Sequence, residues 1–367
     1  MKWIKAQWKD TLTHLDLPLL LIVSILSGIG LATIYSATAS DGFWKVDRQI
    51  INMLGALVVM LTVARTPPQT MMRYAVPLYV LGVLLLLAVA LFGIVVNGSR
   101  RWISLIFVRI QPSEIMKVAM PMMLAWYFHK HESLLKLRHY AVAALLLAVP
   151  VAFIIKQPDL GTSLLILASG FFVIFFAGLP WKVMFVLAAA AGSALPLVWT
   201  MLHDYQRRRV LTLLDPSSDP LGAGYHIIQS TIAIGSGGSL GKGWLNGTQT
   251  HLEFIPEKHT DFIFAVFSEE WGLAGNGVLL LLFTLLVGRG LIITAAAPTM
   301  FSRLLAGAVT LTLFIYAFVN MGMVSGILPV VGVPLPFVSY GGTALITLML
   351  GVGILMSIHS HRMLVKK

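Results

Sequence analysis

The sequence predicts an all-α polytopic membrane protein with ten transmembrane helices and one large extracytoplasmic loop between helices 7 and 8. Three observations support this prediction: 57% of the 367 residues are hydrophobic, only 11% are charged, and long stretches carry no charged side chain. A soluble fold of this length cannot bury so much apolar surface, because its interior is too small. The absence of cysteine also excludes a disulfide-built secreted module.

The ten predicted helices are stretches of mostly apolar residues, because a membrane span requires about 20 of them. The fourth is short and contains Lys117, and the eighth contains Glu269 and Glu270. A charge-free run at the end of the chain is long enough for two helices. In order, the stretches are Leu17–Ala37, Gln49–Ala64, Val76–Val96, Ile115–Phe128, Tyr140–Ile155, Thr162–Gly178, Val183–Leu202, Phe262–Val287, and Leu304–His361 with a turn at Pro329–Pro336.

The distribution of Lys and Arg predicts the orientation of these helices. Loops on the side that carries both termini hold more than twice as many Lys and Arg residues as the short loops opposite. Positively charged loops stay in the cytoplasm, so both termini are predicted to be cytoplasmic. The first apolar run has full length and no small-residue cleavage pattern, which argues against a cleavable signal peptide. The net charge of +11 lies on no concentrated polar face, so no nucleic acid partner is expected.

Residues 1–367 are predicted to form a single integral membrane domain, in which residues 203–261 make the large outer loop. Long polar loops in compact proteins are often functional. Within the loop, Tyr225–Ile234 fits either a helix lying on the membrane or one packed on the bundle. The loop is rich in acids: Asp204, Asp215, Asp219, Glu253, Glu257 and Asp261.

Basic side chains gather near the predicted outer boundary, where they are disfavoured unless they meet an anion. Arg forms forked hydrogen bonds with phosphate oxygens, so this set suits a phosphate or diphosphate headgroup. Lys117 shares a helix face with Glu114, and ionisable residues inside a span are usually functional. An ion pair that merely satisfies itself is an equal alternative. The set is Arg48, Arg100, Arg101, Arg109, Lys117 and Arg207–Arg209.

Asp261 lies where the outer loop re-enters the membrane as the eighth helix. Partial burial there raises a carboxyl pKa toward the range of a general base. The structural alternative is an N-cap or first-turn acid favoured by the helix dipole. Asp159, at the start of the sixth helix, is likewise a candidate cap. No cofactor is required by any pattern, and no HExxH spacing is present. A divalent cation, Mg²⁺ or Mn²⁺, that bridges Asp261 to a diphosphate would match hard oxygen ligands.

Two glycine- or proline-rich segments are candidate anion sites. Gly235–Gly243 lacks the residues of a phosphate-binding loop and follows no strand, so it is interpreted as a structural turn. Pro334–Thr343 links the last two helices and cannot continue a helix comfortably. The N–H groups of the helix that follows are either an anion seat or part of a tight turn. At least one of Glu269 and Glu270 is expected to face the bundle interior with a structural hydrogen bond.

Several long segments, in order, resemble the SEDS family (shape, elongation, division and sporulation). They run from the fourth predicted helix to the tenth, and the ten-helix plan covers the whole chain. The segments are Arg109–Lys117, Gln157–Thr162, Asp215–Pro216, Gly222–Ser230, Phe254–Phe262 and Gly332–Gly342.

The resemblance implies a peptidoglycan glycosyltransferase of the cytoplasmic (inner) membrane that polymerises lipid II on the periplasmic face. It implies lipid II and the growing glycan strand as ligands. It also implies work in the rod elongation machinery with a class B penicillin-binding protein and other rod-complex membrane proteins. The family's essential loop aspartate corresponds to Asp261, and its motif residues correspond to Glu114 and Lys117.

The mechanistic hypothesis that follows makes Asp261 the base that accepts a proton from the 4-hydroxyl of the acceptor GlcNAc. The oxygen attacks C1 of the donor MurNAc with inversion, and undecaprenyl pyrophosphate leaves. Preorganised cations stabilise the departing charge. The predicted binding residues are Arg48, Arg101, Arg109 and Lys117, and the predicted supporting residues are Glu114, Asp159 and Ser339.

Two other functions are compatible with a polytopic membrane protein. A lipid II flippase or other transporter should place ionisable residues near the membrane midplane and show paired repeats. Here the charges gather at the outer ends of the helices and one outer loop is enlarged, which favours surface chemistry. The third interpretation is a non-catalytic scaffold of the elongation complex.

Overall fold

Helices make up most of the chain in the computed structural model, which describes residues 15–39, 42–96, 99–105, 108–157, 159–201, 204–219, 222–255 and 257–362. His203 and both chain termini lie outside these residues. The helices are α1 (Leu17–Ala37), α2 (Trp44–Arg65), α3 (Pro68–Phe92), α4 (Pro112–Lys130), α5 (Leu137–Lys156), α6 (Leu160–Phe176), α7 (Trp181–Met201), α8 (Asp204–Leu214), α9 (Ala223–Ser236), α10 (Thr248–His251), α11 (Ile263–Ala295), α12 (Met300–Val324) and α13 (Gly342–Ser360).

Among the described residues, α1, α2, α3, α5, α11, α12 and α13 are long and apolar enough to cross a membrane. These seven confirm an all-α membrane protein. Two further apolar helices are shorter, α6 and the Trp181–Ala194 part of α7. Helix α4 has 19 residues but carries three charged side chains, Glu114, Lys117 and Lys130. The count of ten spans therefore stays a prediction, although each predicted stretch overlaps a helix.

The connection between α3 and α4 contains a small antiparallel sheet that was not predicted. Its strands are β1 (Ile94–Val96), β2 (Ser99–Leu105) and β3 (Val108–Ile110), with β2 in the centre. The predicted end of the third helix at Val96 is wrong, because Gly93 is already extended at φ −62° and ψ 145°. The β-branched residues that follow favour strands, and β1 pairs with β2 instead of extending the helix.

The core lies where α13 packs along α2, α3 packs on α4, and α12 packs against both α6 and α11. Helix α1 approaches the segment before α13 so closely that a Cβ at Gly30 would lie 2.7 Å from the Phe337 carbonyl oxygen. Large apolar side chains on the outer faces of the helices stay exposed, for example Phe92 at 79% and Phe185 at 73%. This arrangement is typical of a bundle whose outer surface meets lipid.

Residues 204–262, called the excursion below, lie between α7 and α11 in the chain. Helix α9 packs on α11 and α12, and the Ser230 Oγ donates a hydrogen bond to the Val324 carbonyl at 2.8 Å. The segment Tyr225–Ile234 therefore packs on the bundle. At the end of α13, the Asp16 carboxylate lies 3.3 Å from the His359 ring, so α1 begins and α13 ends on the same side.

The glycine-rich part of the excursion is an ordered structural turn, as its sequence predicted. It lies against a kink in α11 at Gly272, whose φ of 62° is in the left-handed region that favours glycine. A Cβ at Gly272 would lie 2.3 Å from the Gly241 nitrogen. The kink frees backbone groups of α11, and the Leu273 N–H donates to the Gly238 carbonyl at 2.9 Å.

Candidate active site

Asp261 lies in the last turn of the excursion, two residues before α11 begins. Its carbonyl oxygen accepts a hydrogen bond from the Asn320 side-chain nitrogen at 2.9 Å, and the same nitrogen donates to the Val333 carbonyl at 2.7 Å. The N-cap of α11 is Phe262, and no side chain caps the helix. The capping alternative for Asp261 is therefore wrong, and its carboxylate is not occupied by the helix end.

The segment before α13 holds the backbone around Asp261. The Ser339 Oγ donates to the Thr260 carbonyl at 2.7 Å and accepts from the Leu335 N–H at 2.8 Å. The Tyr340 N–H donates to the His259 carbonyl at 2.9 Å. Ser339 thus links the segment before α13 to the backbone beside Asp261, and its supporting role stays a prediction. The N–H of Gly341, at the start of α13, is bonded to the Gln49 side chain at 3.2 Å, which favours a tight turn at this position.

Burial and charge both act on the Asp261 carboxyl. Burial, helped by the neighbouring Glu257 carboxylate, raises the pKa of Asp261 to about 6, and Arg209 opposes this shift. Within the described residues, no donor makes a hydrogen bond or ion pair with the carboxylate oxygens. A carboxylate with a raised pKa and unused acceptor atoms is suited to removing a proton near neutral pH.

Lys117 and Glu114 form the ion pair considered from the sequence, with 2.6 Å between the Lys117 Nζ and the Glu114 Oε1. The Thr347 hydroxyl donates to the other Glu114 oxygen at 3.0 Å, and the Lys117 Nζ lies 5.4 Å from the centre of the Tyr316 ring. Lys117 borders a cavity of about 40 Å³ that is otherwise lined mainly by apolar side chains. Tyr316 precedes Asn320 by one turn of α12, so this helix connects the lysine to the Asp261 backbone.

Arg101 and Asp159 form a second pair, with 3.6 Å between a guanidinium nitrogen and the Asp159 Oδ2. Asp159 also caps α6 by accepting from the Thr162 N–H at 3.1 Å, so its capping prediction is confirmed. Its Oδ2 accepts a hydrogen bond from the Gln111 side chain at 3.3 Å. Gln111 is the N-cap of α4, the helix that carries Glu114 and Lys117, so its contact with Asp159 places the two ion pairs near one another.

The two remaining predicted cations are less closely defined. Arg48 is exposed in the first turns of α2 and precedes the buried Gln49, which contacts the segment before α13. Arg109 lies on β3 opposite Ser104, and its side chain is outside the described part of the structure. Neither position contradicts a role in ligand binding, and both stay predictions.

Three residues near Asp261 were not singled out as site residues from the sequence. Arg209 and Glu257 act electrostatically on the Asp261 carboxyl. The His226 ring stacks on Phe262 with 5.5 Å between ring centres. The signals were present, because Arg209 belongs to the basic run and His226 to a family-like segment, but neither pattern indicates which side chains meet in space.

The adjacent glutamates of α11 are both buried but differ in their partners. Glu269 pairs with the Lys242 Nζ at 2.7 Å and accepts further hydrogen bonds from Gln249 and Thr250. Glu270 accepts from the Ser36 hydroxyl, and its Oε2 has no hydrogen-bond partner among the described residues. A structural role for Glu269 agrees with the expectation from the sequence.

A metal site built from the protein alone is not found in the described part of the chain, where no three His, Cys, Asp or Glu residues lie close enough to share an ion. The expectation of a divalent cation therefore rests on the sequence, and no step below uses it.

Comparisons with known proteins agree on one family. The family model of the cell cycle proteins FTSW_RODA_SPOVE matches residues 12–364. The peptidoglycan glycosyltransferase MrdB of Escherichia coli K12 is 52% identical over 355 residues, which are 96% of each chain. The probable peptidoglycan glycosyltransferase FtsW of Geobacter metallireducens is 37% identical over 359 residues, with 94% of this chain and 95% of that protein covered.

Solved structures give the same result. A chain of a peptidoglycan synthase complex, described as coordinating polymerization and crosslinking, has a TM-score of 0.82 and 35% identity, with 95% of this chain and 98% of that chain covered. The rod shape determining protein RodA of Thermus thermophilus has a TM-score of 0.71 and 28% identity, with 95% of this chain and 97% of that chain covered.

Proposed function

This chain belongs to the FTSW_RODA_SPOVE family of cell cycle proteins, and we propose that it polymerises lipid II with Asp261 as the general base. It is a peptidoglycan glycosyltransferase, as the names of its E. coli and Geobacter relatives indicate. The family resemblance expected from the sequence is confirmed by the family model and by the match to RodA of Thermus thermophilus. The observation that carries the mechanistic proposal is the partly buried Asp261 side chain, whose backbone is anchored while its carboxylate oxygens have no partner within the described residues.

In the proposed reaction, the Asp261 carboxylate removes the proton from the 4-hydroxyl of the acceptor GlcNAc. The hydroxyl oxygen forms a bond to C1 of the donor MurNAc on the face opposite the leaving group, so α becomes β. The C1–O bond to undecaprenyl pyrophosphate breaks, and the diphosphate leaves with the bonding electrons. General base catalysis of this kind contributes typically about 10²- to 10⁴-fold in rate.

The cations near the site are proposed to hold the diphosphates of the two lipid substrates. Arg209 already acts on Asp261, while Lys117 and Arg101 are paired with Glu114 and Asp159. These carboxylates keep the cations in place before substrate binds, and they reduce the desolvation penalty of a buried charge. Arg48 and Arg109 complete the proposed set.

The proposed topology has ten spans with both termini in the cytoplasm and the Asp261 site on the periplasmic face of the inner membrane. The contact between Asp16 and His359 supports a common side for the two ends, and the Lys and Arg distribution supports its assignment to the cytoplasm. A class B penicillin-binding protein is the proposed partner, since the similar solved chain belongs to a complex that coordinates polymerization and crosslinking. The growing glycan strand and other rod-complex membrane proteins complete the proposed contacts.

The test is lipid II polymerisation by the purified full chain in proteoliposomes, with and without a class B penicillin-binding protein. We expect Asp261→Asn to lower the rate at least ~100-fold, because the amide keeps the shape but cannot accept the proton. Asp47→Asn is the matched control, since Asp47 is an exposed aspartate in the first turn of α2, and its rate should equal the parental rate.

A parental rate for Asp261→Asn would refute the base assignment. Glycan strands that never form under any of these conditions would favour a scaffold. Transfer of fluorescent lipid II across the bilayer at equal rates in parent and Asp261→Asn, without polymerisation, would favour a flippase.

A further inference from the structure

An apolar groove of about 650 Å³ lies between α5, α6 and α7. Among the side chains that line it in the described structure, Tyr140 alone carries a polar group. Several lining side chains are exposed instead of packed in the core, for example Leu164 at 43%, Leu167 at 46% and Leu187 at 53%. Small residues of α5 such as Ala144 leave space between these larger ones. In a bilayer, such a groove is suited to a hydrocarbon chain.

The groove lies in the half of the bundle remote from Asp261. The segment before α13 binds the backbone beside Asp261, and Glu114 in the first turn of α4 accepts a hydrogen bond from Thr347 near the start of α13. Helix α4 therefore begins at the Asp261 end of the bundle, so α4 ends and α5 begins at the other end. The groove lining on α5 runs from its first residue, Leu137, to Ala148. The groove thus reaches the end of the bundle that is proposed to be cytoplasmic.

The length of the groove matches one leaflet of a bilayer. From Leu137 to Ala148, α5 rises about 16 Å, at about 1.5 Å per residue. The hydrocarbon core of a bilayer is about 30 Å thick, so one leaflet contributes about 15 Å. A chain that enters beside Leu137 therefore has the length of a phospholipid acyl chain. In the proposed reaction the diphosphate of lipid II lies at the Asp261 end, so its polyprenyl tail would enter the bilayer from the opposite side.

Basic side chains flank the groove where it reaches this end. Arg138 lies in the first turn of α5 and Lys182 in the first turn of α7, each adjacent in sequence to a lining residue, and both are exposed. The Tyr140 hydroxyl lies 3.1 Å from the Ala177 carbonyl oxygen and 3.0 Å from that of Gly178. This contact holds the start of α5 against the connection between α6 and α7. The two cations therefore belong to two walls of one groove, at the same end.

Neither Arg138 nor Lys182 forms an ion pair with a carboxylate of the described structure. The connection between α4 and α5 contains one acid, Glu132, whose carboxylate lies 3.2 Å from the His129 ring instead. The connection between α6 and α7 contains no acid. Lys and Arg bind phosphate oxygens strongly, and basic pockets between membrane helices on the cytoplasmic side bind anionic lipid headgroups.

We propose that this groove binds an anionic phospholipid of the cytoplasmic leaflet, with one acyl chain between α5, α6 and α7 and the phosphate held by Arg138 and Lys182. The inference rests on the topology given under the proposed function, and it adds a second lipid site at the end of the bundle opposite Asp261. The bound acyl chain fills the space between α7 and the two neighbouring helices. Binding is noncovalent and involves no step of the polymerisation reaction.

The test uses the purified full chain in phosphatidylcholine proteoliposomes with a trace of phosphatidylglycerol that carries a photoreactive diazirine on one acyl chain. After illumination, peptides of α5, α6 and α7 should carry the label, and unlabelled phosphatidylglycerol should displace it. A phosphatidylcholine probe with the same chain should label them far less. Arg138→Gln and Lys182→Gln should each weaken the affinity for phosphatidylglycerol about 5-fold, and the double variant about 30-fold, because each cation interacts with the lipid charge.

A second variant tests the groove itself. Ala144→Trp fills the groove from an exposed position, so the fold should be retained while most of the labelling is lost. Leu145→Trp is its matched control, because Leu145 is 66% exposed on the same helix but does not line the groove. The control for charge is the double variant Arg73→Gln/Arg303→Gln, whose two exposed arginines lie on α3 and α12, and it should keep the parental affinity.

Equal labelling by the phosphatidylcholine probe overturns the inference, as does an unchanged affinity in Arg138→Gln/Lys182→Gln, because the groove would then accept any bilayer lipid. Parental labelling of Ala144→Trp overturns it too, and so does preferential labelling by photoreactive undecaprenyl phosphate. None of these results affects the assignment of Asp261 as the base. Asp261→Asn should be labelled like the parent, and its parental polymerisation rate would refute the proposed mechanism without changing the lipid site.

Discussion

Two aspartates at opposite ends of the bundle show how differently a carboxylate shielded from water can be used. Asp16 caps α1 by accepting from the Leu19 N–H at 2.9 Å, and the Arg289 guanidinium binds it with two nitrogens at 3.1 and 2.5 Å. Asp261 is partly buried, and its carboxylate has no such partners in the described part of the chain. Hydrogen-bond and ionic partners therefore distinguish a structural carboxylate from one that stays available for chemistry.

The electrostatic consequences are opposite. Burial raises the pKa of Asp16, but the hydrogen bonds from Arg289 and the Leu19 N–H, together with His359, outweigh this and bring the pKa below its usual value. Burial of Asp261 meets no comparable compensation, so its pKa rises to about 6. Asp16 therefore stabilises the fold as a charged group, whereas charged Asp261 opposes folding at neutral pH.

The largest expected effect is a difference in unfolding free energy between the two Asp→Asn variants, and its absence would break the comparison. Asp16→Asn leaves the Arg289 cation without its partner, so we expect a loss of about 3 kcal/mol or more in unfolding free energy. At pH 7, Asp261→Asn should lose no unfolding free energy and should gain at most about 3 kcal/mol, because it removes a carboxyl group whose pKa is raised in the folded state. Thermal unfolding of the purified variants measures both. Equal destabilisation of the two would contradict the comparison.

The sequence predicted the helices well, because long apolar runs allow few alternatives in lipid. Helix α1 has the predicted bounds, and the charged positions of α4 and α11 were recognised as exceptions. The short strands between α3 and α4 were missed, since strand pairing depends on residues several positions apart. The position of Asp261 and the family resemblance both indicate a functional residue, but the sequence does not exclude a helix cap. The structure excludes the cap, because α11 begins at Ile263 with Phe262 as its N-cap, and the Asn320 side chain binds the Asp261 carbonyl.

Side chains that meet across elements were the least predictable part of the site. His226 and Phe262 are separated by 36 positions, and their stacking depends on how α9 packs on α11. The sequence predicts the Glu114–Lys117 pair, because residues three positions apart lie on the same face of a helix. It does not predict the contact of Thr347 with Glu114, because Thr347 lies on another helix, α13. Local periodicity therefore predicts partners within an element, and tertiary packing decides the rest.

The adjacent glutamates of α11 extend the comparison at a smaller scale. Glu269→Gln removes the charge that pairs with Lys242 and mismatches the donors of Gln249 and Thr250, so we expect a loss of about 2 kcal/mol. Glu270→Gln should change stability by less than about 1 kcal/mol, because one of its oxygens has no partner to lose in the described residues. Chemical denaturation of both variants measures the difference, and limited proteolysis reports release of the excursion. Identical losses of unfolding free energy would show that the number of hydrogen-bond and ionic partners does not determine how much each glutamate stabilises the fold.

The smallest expected effect is a shift in the acid limb of the pH–rate profile. Asp261 acts as the deprotonated carboxylate, so polymerisation should fall as the pH drops below about 6, where an aspartate of ordinary pKa would stay active to about pH 4. Arg209 lowers the pKa of Asp261, and Arg209→Gln should therefore move the limb to higher pH. Glu257→Gln should move it to lower pH, because the Glu257 carboxylate raises that pKa. Initial rates between pH 4.5 and 8 test the two opposite displacements within one experiment, and displacements of the same sign would show that the limb belongs to a group other than Asp261.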